Sequence, residues 1–361
     1  MSLELILQHL EGLVACDTQN PPRLISGDSE IFQLCDRLAG RDFHTRTWDH
    51  GDGHVSWYAV RGKPEVLFNV HLDTVPHGEG WSYDPLKLQI KDGRAYGRGS
   101  CDIKGAAAVL LNLAQQGVEN LALLFTSDEE GANGCCVDRF IASGEAQDYR
   151  QVIVAEPTSC KAILGHRGFL SVKTRFHGVP GHSSEARALD ESANHRMAHW
   201  ASSALQLAKK KKRSEADPGT CFNLGICSGG SKSNVIAGTA FVHWSARLQP
   251  GESNEQFLRE IQACEPEGSN TDWDVPFAGG PLPASGQSDE SARAFCLKNE
   301  LQTAGPVDFW TEASLFSKAG IPAIVLGPGH IAQAHMADEW VELEQLSIAH
   351  ALYSEVIRQN G

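Results

Sequence analysis

The hydrophobic positions change period along the chain. Leu3, Ile6, Leu7, Leu10, Leu13 and Val14 recur at helical spacing and predict an amphipathic N-terminal helix. Three short apolar runs follow at 66–70, 121–125 and 152–155, each bounded by polar residues. Runs so short and so bounded predict buried strands of a parallel sheet. The Ala/Leu-rich stretch 103–116 lies between the first two and reads as a crossover helix. FLSVKTRF at 169–176 then alternates as a half-exposed strand does. A long helical stretch at 189–212, strand-like segments at 222–227 and 239–248, and a helix at 254–264 complete a different pattern. Strand–helix–strand–strand–helix predicts a small α+β sandwich. After about 283 the first pattern returns, with a buried strand at 321–326 and a closing amphipathic helix at 343–357. The expected organisation is one α/β domain, residues 1–166 and 283–361, interrupted by an inserted domain at 167–282. A length of 361 residues suits two domains better than one core.

Composition narrows the function classes. The formal charge of −14, from 31 basic and 45 acidic residues, argues against nucleic acid as a partner. The one basic run, at 209–213, reads as a solvated helix end. No stretch reaches the length of a membrane span, and the opening residues lack the charge pattern of a signal peptide. The ten cysteines are scattered, and Cys135–Cys136 are adjacent, poor geometry for a bridge between them. Reduced thiols in a cytoplasmic protein are the expectation.

The candidate chemistry sits where the apolar runs end, the edge at which α/β sheets bind ligands. His71 follows the first run, and Asp73 shares its face two residues on. A metal-binding histidine commonly donates its other N–H to a carboxylate, a task Asp73 is placed for. Glu129 and Glu130 follow the second run, and Glu156 the third. Adjacent acids after a buried strand can divide labour, one ligating metal and the other accepting a proton from metal-bound water. Asp102 opens the Ala-rich helix after a glycine-rich loop; it is either an N-cap or a carboxylate bridging two ions. His335 follows the glycine-rich segment at 327–329. Taken singly, each has a plain structural reading. Together, two histidines and three carboxylates form a mixed N/O donor set that suits zinc, and also cobalt or manganese.

The ordered set HLDTVP at 71–76, GRGSCDIKG at 97–105, TSDEEG at 126–131, EPT at 156–158, GHSS at 181–184 and AHMADEW at 334–340 resembles the M20 family of metallopeptidases and deacylases, in its acetylornithine-deacetylase-like branch. Ser100-Cys101 and Ile103 depart from the family's commoner surroundings of the aspartate. The resemblance implies a mostly parallel sheet with helices on both faces and an inserted lid and dimerisation domain. It implies a homodimer with two divalent ions, zinc or cobalt, one held by His71, Asp102 and Glu156 and the other by Asp102, Glu130 and His335. Glu129 would be the general base, Asp73 the residue orienting His71, and the Asp102–Ile103 peptide would be cis. His182 would act in the partner subunit's site by stabilising an oxyanion. Arg247, near a strand end, is a candidate clamp for a substrate carboxylate, and Asn234 a further polar contact. The implied reaction is removal of the acetyl group from an N-acetyl amino acid of arginine biosynthesis, N-acetylcitrulline or N-acetylornithine. A dipeptidase or aminoacylase using the same site is the nearest rival. A nucleotide-binding protein would need a Walker pattern or a GxGxxG after a strand, and a serine hydrolase a nucleophile elbow; neither is present. A non-catalytic metal-binding protein would have no use for Glu129.

Overall fold

The computed structural model describes residues 2–22, 24–131, 135–211 and 219–360. The chain divides into two compact units, one of residues 1–165, 287–306 and 311–361, the other of 166–286 and 307–310.

The first unit is built on an eight-stranded sheet. Its centre is parallel: Val66–His71 lies between Leu121–Thr126 and Gln151–Val154, with Ala323–Val325 next to the last. These four strands are the apolar runs of the sequence, and every one of their residues is buried. Strands His44–Asp49 and Val55–Arg61 add an antiparallel edge that the sequence pattern did not suggest. The helix Lys104–Gln115 is buried on all sides because Ser2–Ala15, Glu30–Ala39 and Leu343–Gln359 pack around it while it rests on the sheet. This burial explains its composition, since alanines permit close approach to several neighbours at once. Cys135–Ala142 and Ala313–Lys318 form a second helical layer on the sheet. The helices thus cover both faces, as a parallel sheet requires.

The second unit is a two-layer α+β sandwich. Four antiparallel strands run in the order Cys221–Gly229, Thr239–Arg247, Phe169–His177, Asn270–Gly279. Buried positions alternate along Phe169–His177, and they meet Trp200, Trp244, Phe257 and Ile261 in one cluster beneath the helices Ala193–Lys210 and Asn254–Gln262. The unbroken helix expected from residue 189 is instead two helices, Ala188–Glu191 and Ala193–Lys210, with extended backbone at Ser192. The break has a tertiary cause. Glu191 O accepts from Val179 N at 3.0 Å and Ala193 N donates to Ala237 O at 2.9 Å, so neighbouring loops take the groups that a continuous helix would pair internally. Lys209 and Lys210 end the second helix; Lys212 and Arg213 of the basic run lie outside the described residues. Among the described residues no helix is long and apolar enough to cross a membrane.

Candidate metal centre

The parallel register delivers three of the donors to one edge. His71, the Glu129–Glu130 pair and Glu156 all stand at or just beyond the carboxyl ends of adjacent strands. Asp102 arrives from the loop before the helix Lys104–Gln115, whose N-cap is Ile103; Asp102 is therefore free of the capping role it could have had. The Asp102–Ile103 peptide is cis. His335 comes from the far end of the chain, held in left-handed backbone at φ 61°.

The donors converge. His71 Nε2 lies 3.0 Å from Asp102 Oδ1 and 3.5 Å from Glu156 Oε1. His335 Nε2 lies 3.2 Å from Asp102 Oδ2 and 2.8 Å from Glu130 Oε1. Asp102 thus turns each oxygen toward a different histidine–carboxylate pair. Glu156 Oε1 is buried without a hydrogen-bond partner. His335 remains 53% exposed and marks the open side of the cluster, while His71 and Asp102 are buried.

Asp73 acts differently from the simple expectation. His71 Nδ1 donates to the backbone carbonyl of Asp73 at 3.0 Å, with the Asp73 carboxylate farther away at 3.6 Å. That bond keeps a proton on Nδ1 and turns Nε2 toward Asp102 and Glu156. The carboxylate itself accepts from Glu130 N at 2.9 Å, Glu129 N at 3.3 Å and Asn20 Nδ2 at 2.8 Å. Asp73 therefore fixes the turn that presents both glutamates.

Electrostatics follow from so many acids in one buried place. Burial raises Glu130 to about 7, with Asp102 adding to the effect and His335 opposing it. Burial likewise pushes Glu129 well above the usual carboxylate range; His71 opposes, and Glu156, Glu130 and Asp102 reinforce it. Burial would raise Asp102 too, but hydrogen bonds from His335 and His71 outweigh it and hold the carboxyl low. Asp102 and Glu130 in turn raise His335 to about 10. A cluster that draws protons onto its histidines and glutamates lacks positive charge, which a bound cation would supply.

Two residues of this centre carried no sequence expectation of their own. Glu339 is buried, and its carboxylate accepts from Arg98 Nη1 at 2.8 Å and from the backbone N–H groups of Gly99, Cys101 and Asp102, each at 2.9 Å. It holds the whole loop that aims Asp102. Asn20 belongs to an N-terminal strap tied down by Thr74 N to Thr18 O at 3.0 Å and Lys104 Nζ to Cys16 O at 2.9 Å. Only their place in the motif AHMADEW (Glu339) and before two prolines (Asn20) distinguished them in the sequence.

The profile of peptidase family M20/M25/M40 matches residues 67–359. The chain belongs to this family. It is similar to the N-acetyl-L-citrulline deacetylase of Xanthomonas campestris pv. campestris, at 42% identity with 94% of each chain covered. It is similar at 30% identity to the acetylornithine deacetylase of Vibrio parahaemolyticus, with 95% of each covered. Among solved structures it shares its fold with the aminopeptidase PepT of Bacillus cereus, at a TM-score of 0.73 and 17% identity, over 99% of this chain and 98% of that one. This M20 chain is accordingly a hydrolase, and its described residues include a group able to hold a metal ion, His71, Asp102 and Glu130.

The remaining expected site residues lie in the second unit. His182 is exposed; its two-residue strand pairs with Val235–Ile236, its Nδ1 lies 2.8 Å from Ser184 Oγ, and Ser183 N donates to Asn234 O at 3.2 Å. His182 and Asn234 are thus neighbours. Arg247 ends the strand Thr239–Arg247, with its guanidinium 3.9 Å over the Phe169 ring. Phe169 packs on Phe277, which meets Trp310 edge-on.

Proposed function

We propose that this M20 hydrolase removes the acetyl group from an N-acetyl amino acid of arginine biosynthesis, N-acetylcitrulline in the first place and N-acetylornithine in the second. The relation at 42% identity over nearly the full length supports this choice, and the deacetylase names among the relatives weigh against a dipeptidase. The site reading rests on one observation above all: the two oxygens of Asp102 face two separate histidine–carboxylate pairs. Such a set suits two divalent ions, zinc or cobalt, with His71 and Glu156 on one side of Asp102 and Glu130 and His335 on the other. When bound, the ions would lower the pKa of water and polarise the acetyl carbonyl.

The chain's own residues do the rest. His71, pinned through Nδ1 by Asp73 O, keeps its other nitrogen aimed at the centre. Glu129, high in proton affinity and held by Asp73 through its backbone, takes the proton of the attacking water and returns it to the leaving amine. Arg247, stacked on Phe169, clamps the substrate carboxylate in a bidentate pair.

We infer a homodimer formed through the second unit, the assembly that the likeness to the family implies. His182 pairs beside the residues that precede Thr239, and Arg247 ends that strand. The nine residues of that strand span about 26 Å, eight steps of roughly 3.3 Å each. That separation supports assigning His182, with Asn234, to the partner subunit's site and Arg247 to another. The edge strand Cys221–Gly229, largely exposed with Ile226 at 56%, is the kind of open edge that pairing across a two-fold axis covers. The test is a substrate panel of N-acetylcitrulline, N-acetylornithine, N-acetylmethionine and a dipeptide, run on metal-stripped protein restored with zinc or cobalt. A preference for the dipeptide would overturn the reading.

A further inference from the structure

Among the described residues a second group of metal-type donors converges in the first unit. His54 closes the turn before the strand Val55–Arg61, and Asp128 follows the strand Leu121–Thr126 that pairs with it. Their antiparallel register sets Ser56 opposite Thr126, so the ladder itself brings positions 54 and 128 together. Val55 N donates to Ser127 Oγ at 2.8 Å, and Ser127 Oγ donates to Gly53 O at 2.7 Å, which locks that corner. Cys136 enters from the first turn of the helix Cys135–Ala142. His54 Nδ1 lies 2.7 Å from Asp128 Oδ2, and the ligand atoms of His54, Asp128 and Cys136 all fall within 4.8 Å of one another.

Two features make this more than a histidine–carboxylate pair. Asp128 is fully buried and its Oδ1 has no hydrogen-bond partner, a costly state unless a cation meets it. Two further carboxylates, Asp138 and Glu312, lie within electrostatic reach of Asp128, with Lys318 opposing at Asp138. Donors sharing one four-coordinate ion through bonds of about 2.0–2.3 Å sit roughly 3–4 Å apart, so a bound ion would widen the 2.7 Å His54–Asp128 contact. The centre described above shows the same compression, with His71 Nε2 and Asp102 Oδ1 at 3.0 Å. His50 shares the turn, its N–H donating to His54 O at 2.8 Å.

We propose that His54, Asp128 and Cys136 form a further metal site, distinct from the hydrolytic centre by its thiolate, that takes a thiophilic divalent ion such as zinc. On binding, the Cys136 S–H proton leaves to solvent and a sulfur–metal bond forms. The His54–Asp128 hydrogen bond is replaced by one bond from each to the metal, with the imidazole proton carried on Nε2. No group is oxidised or reduced. Asp128 directly precedes Glu129 and Glu130, so an ion here braces the turn that presents them.

Cobalt(II) distinguishes the two centres. Full-length protein is stripped of metal and titrated with cobalt while the near-ultraviolet thiolate-to-cobalt charge-transfer band is followed. The hydrolytic donor set contains only nitrogen and oxygen, so it gives no such band. The expected result is a band whose amplitude, once every site is filled, matches one thiolate-bound cobalt per chain, is lost in Cys136→Ser and in His54→Ala, and persists in Cys101→Ser, whose residue adjoins Asp102. Should Cys136→Ser fail to fold, His54→Ala decides, since His54 lies on a partly exposed turn. Absence of the band at saturating cobalt, its survival in His54→Ala, or its loss in Cys101→Ser would overturn the proposal.

Discussion

Replacing Glu339 by Gln tests whether the loop bearing Asp102 is held as described. The side chain keeps its volume, but one oxygen becomes an amide NH2. Oε1 accepts from Cys101 N and Asp102 N, and Oε2 from Arg98 Nη1 and Gly99 N. Whichever way the amide turns, two of these four bonds are lost and two donors face each other. In both orientations the Arg98 guanidinium, also buried, loses its counter-charge. Hydrogen bonds to a charged group contribute about 1.5–3 kcal/mol each. Stranding one partner of a buried ion pair costs about 3–5 kcal/mol. These overlap, so a loss of roughly 4–6 kcal/mol is expected, a large share of the about 5–15 kcal/mol that holds a typical domain. Urea unfolding at fixed metal concentration measures it. The double variant Arg98→Met/Glu339→Gln should recover part of the loss, because no buried cation is then stranded. Zinc affinity by competition with a chelator should fall in Glu339→Gln, since Asp102 loses its backbone anchor. A loss under about 1 kcal/mol together with unchanged zinc affinity would refute the cradle.

Other outcomes follow from the same geometry. Glu129→Gln should lower kcat by at least about 10²-fold while metal content by elemental analysis stays near wild type; retention of most of kcat ends the proton-transfer role. Asn20→Ala removes one of the donors to Asp73 and should cost about 1–3 kcal/mol, with kcat falling more than KM changes. Asn20→Asp should be worse still, and a fully active Asn20→Asp would show the contact to be idle. Burial, reinforced by Asp128, raises Glu312 from 4.5 to about 8, so the folded chain keeps this proton where the unfolded chain has lost it. Its contribution to stability therefore declines as pH rises from about 4.5 to about 8 and is level above that. Glu312→Gln should abolish that decline, and a variant-to-wild-type difference that stays flat from pH 5 to pH 8 would refute it. Mixing inactive Glu129→Gln and His182→Ala chains should restore up to about half of wild-type activity per mixed dimer if His182 acts in trans. No recovery after confirmed subunit exchange would place His182 in its own chain or outside the reaction.

Local pattern alone determined the strands Val66–His71, Leu121–Thr126 and Gln151–Val154, the helices Ser2–Ala15 and Leu343–Gln359, and hence the edge on which His71, Glu129, Glu130 and Glu156 stand. It could do so because a buried parallel strand needs an unbroken apolar run, and the residue after that run is carried to the ligand edge. Local pattern did not determine the antiparallel edge His44–Asp49 with Val55–Arg61, or the break at Ser192, where Glu191 O and Ala193 N pair with loops rather than within a helix. Nor could it assign Asn20 to Asp73, 53 residues away, or Glu339 to the loop at 99–102, 237–240 residues away. Single buried polar residues carry no period and so leave no signal along the chain. Which donor satisfies which buried carboxylate is decided only when the packed core has excluded water and every remaining polar group must find its partner within reach.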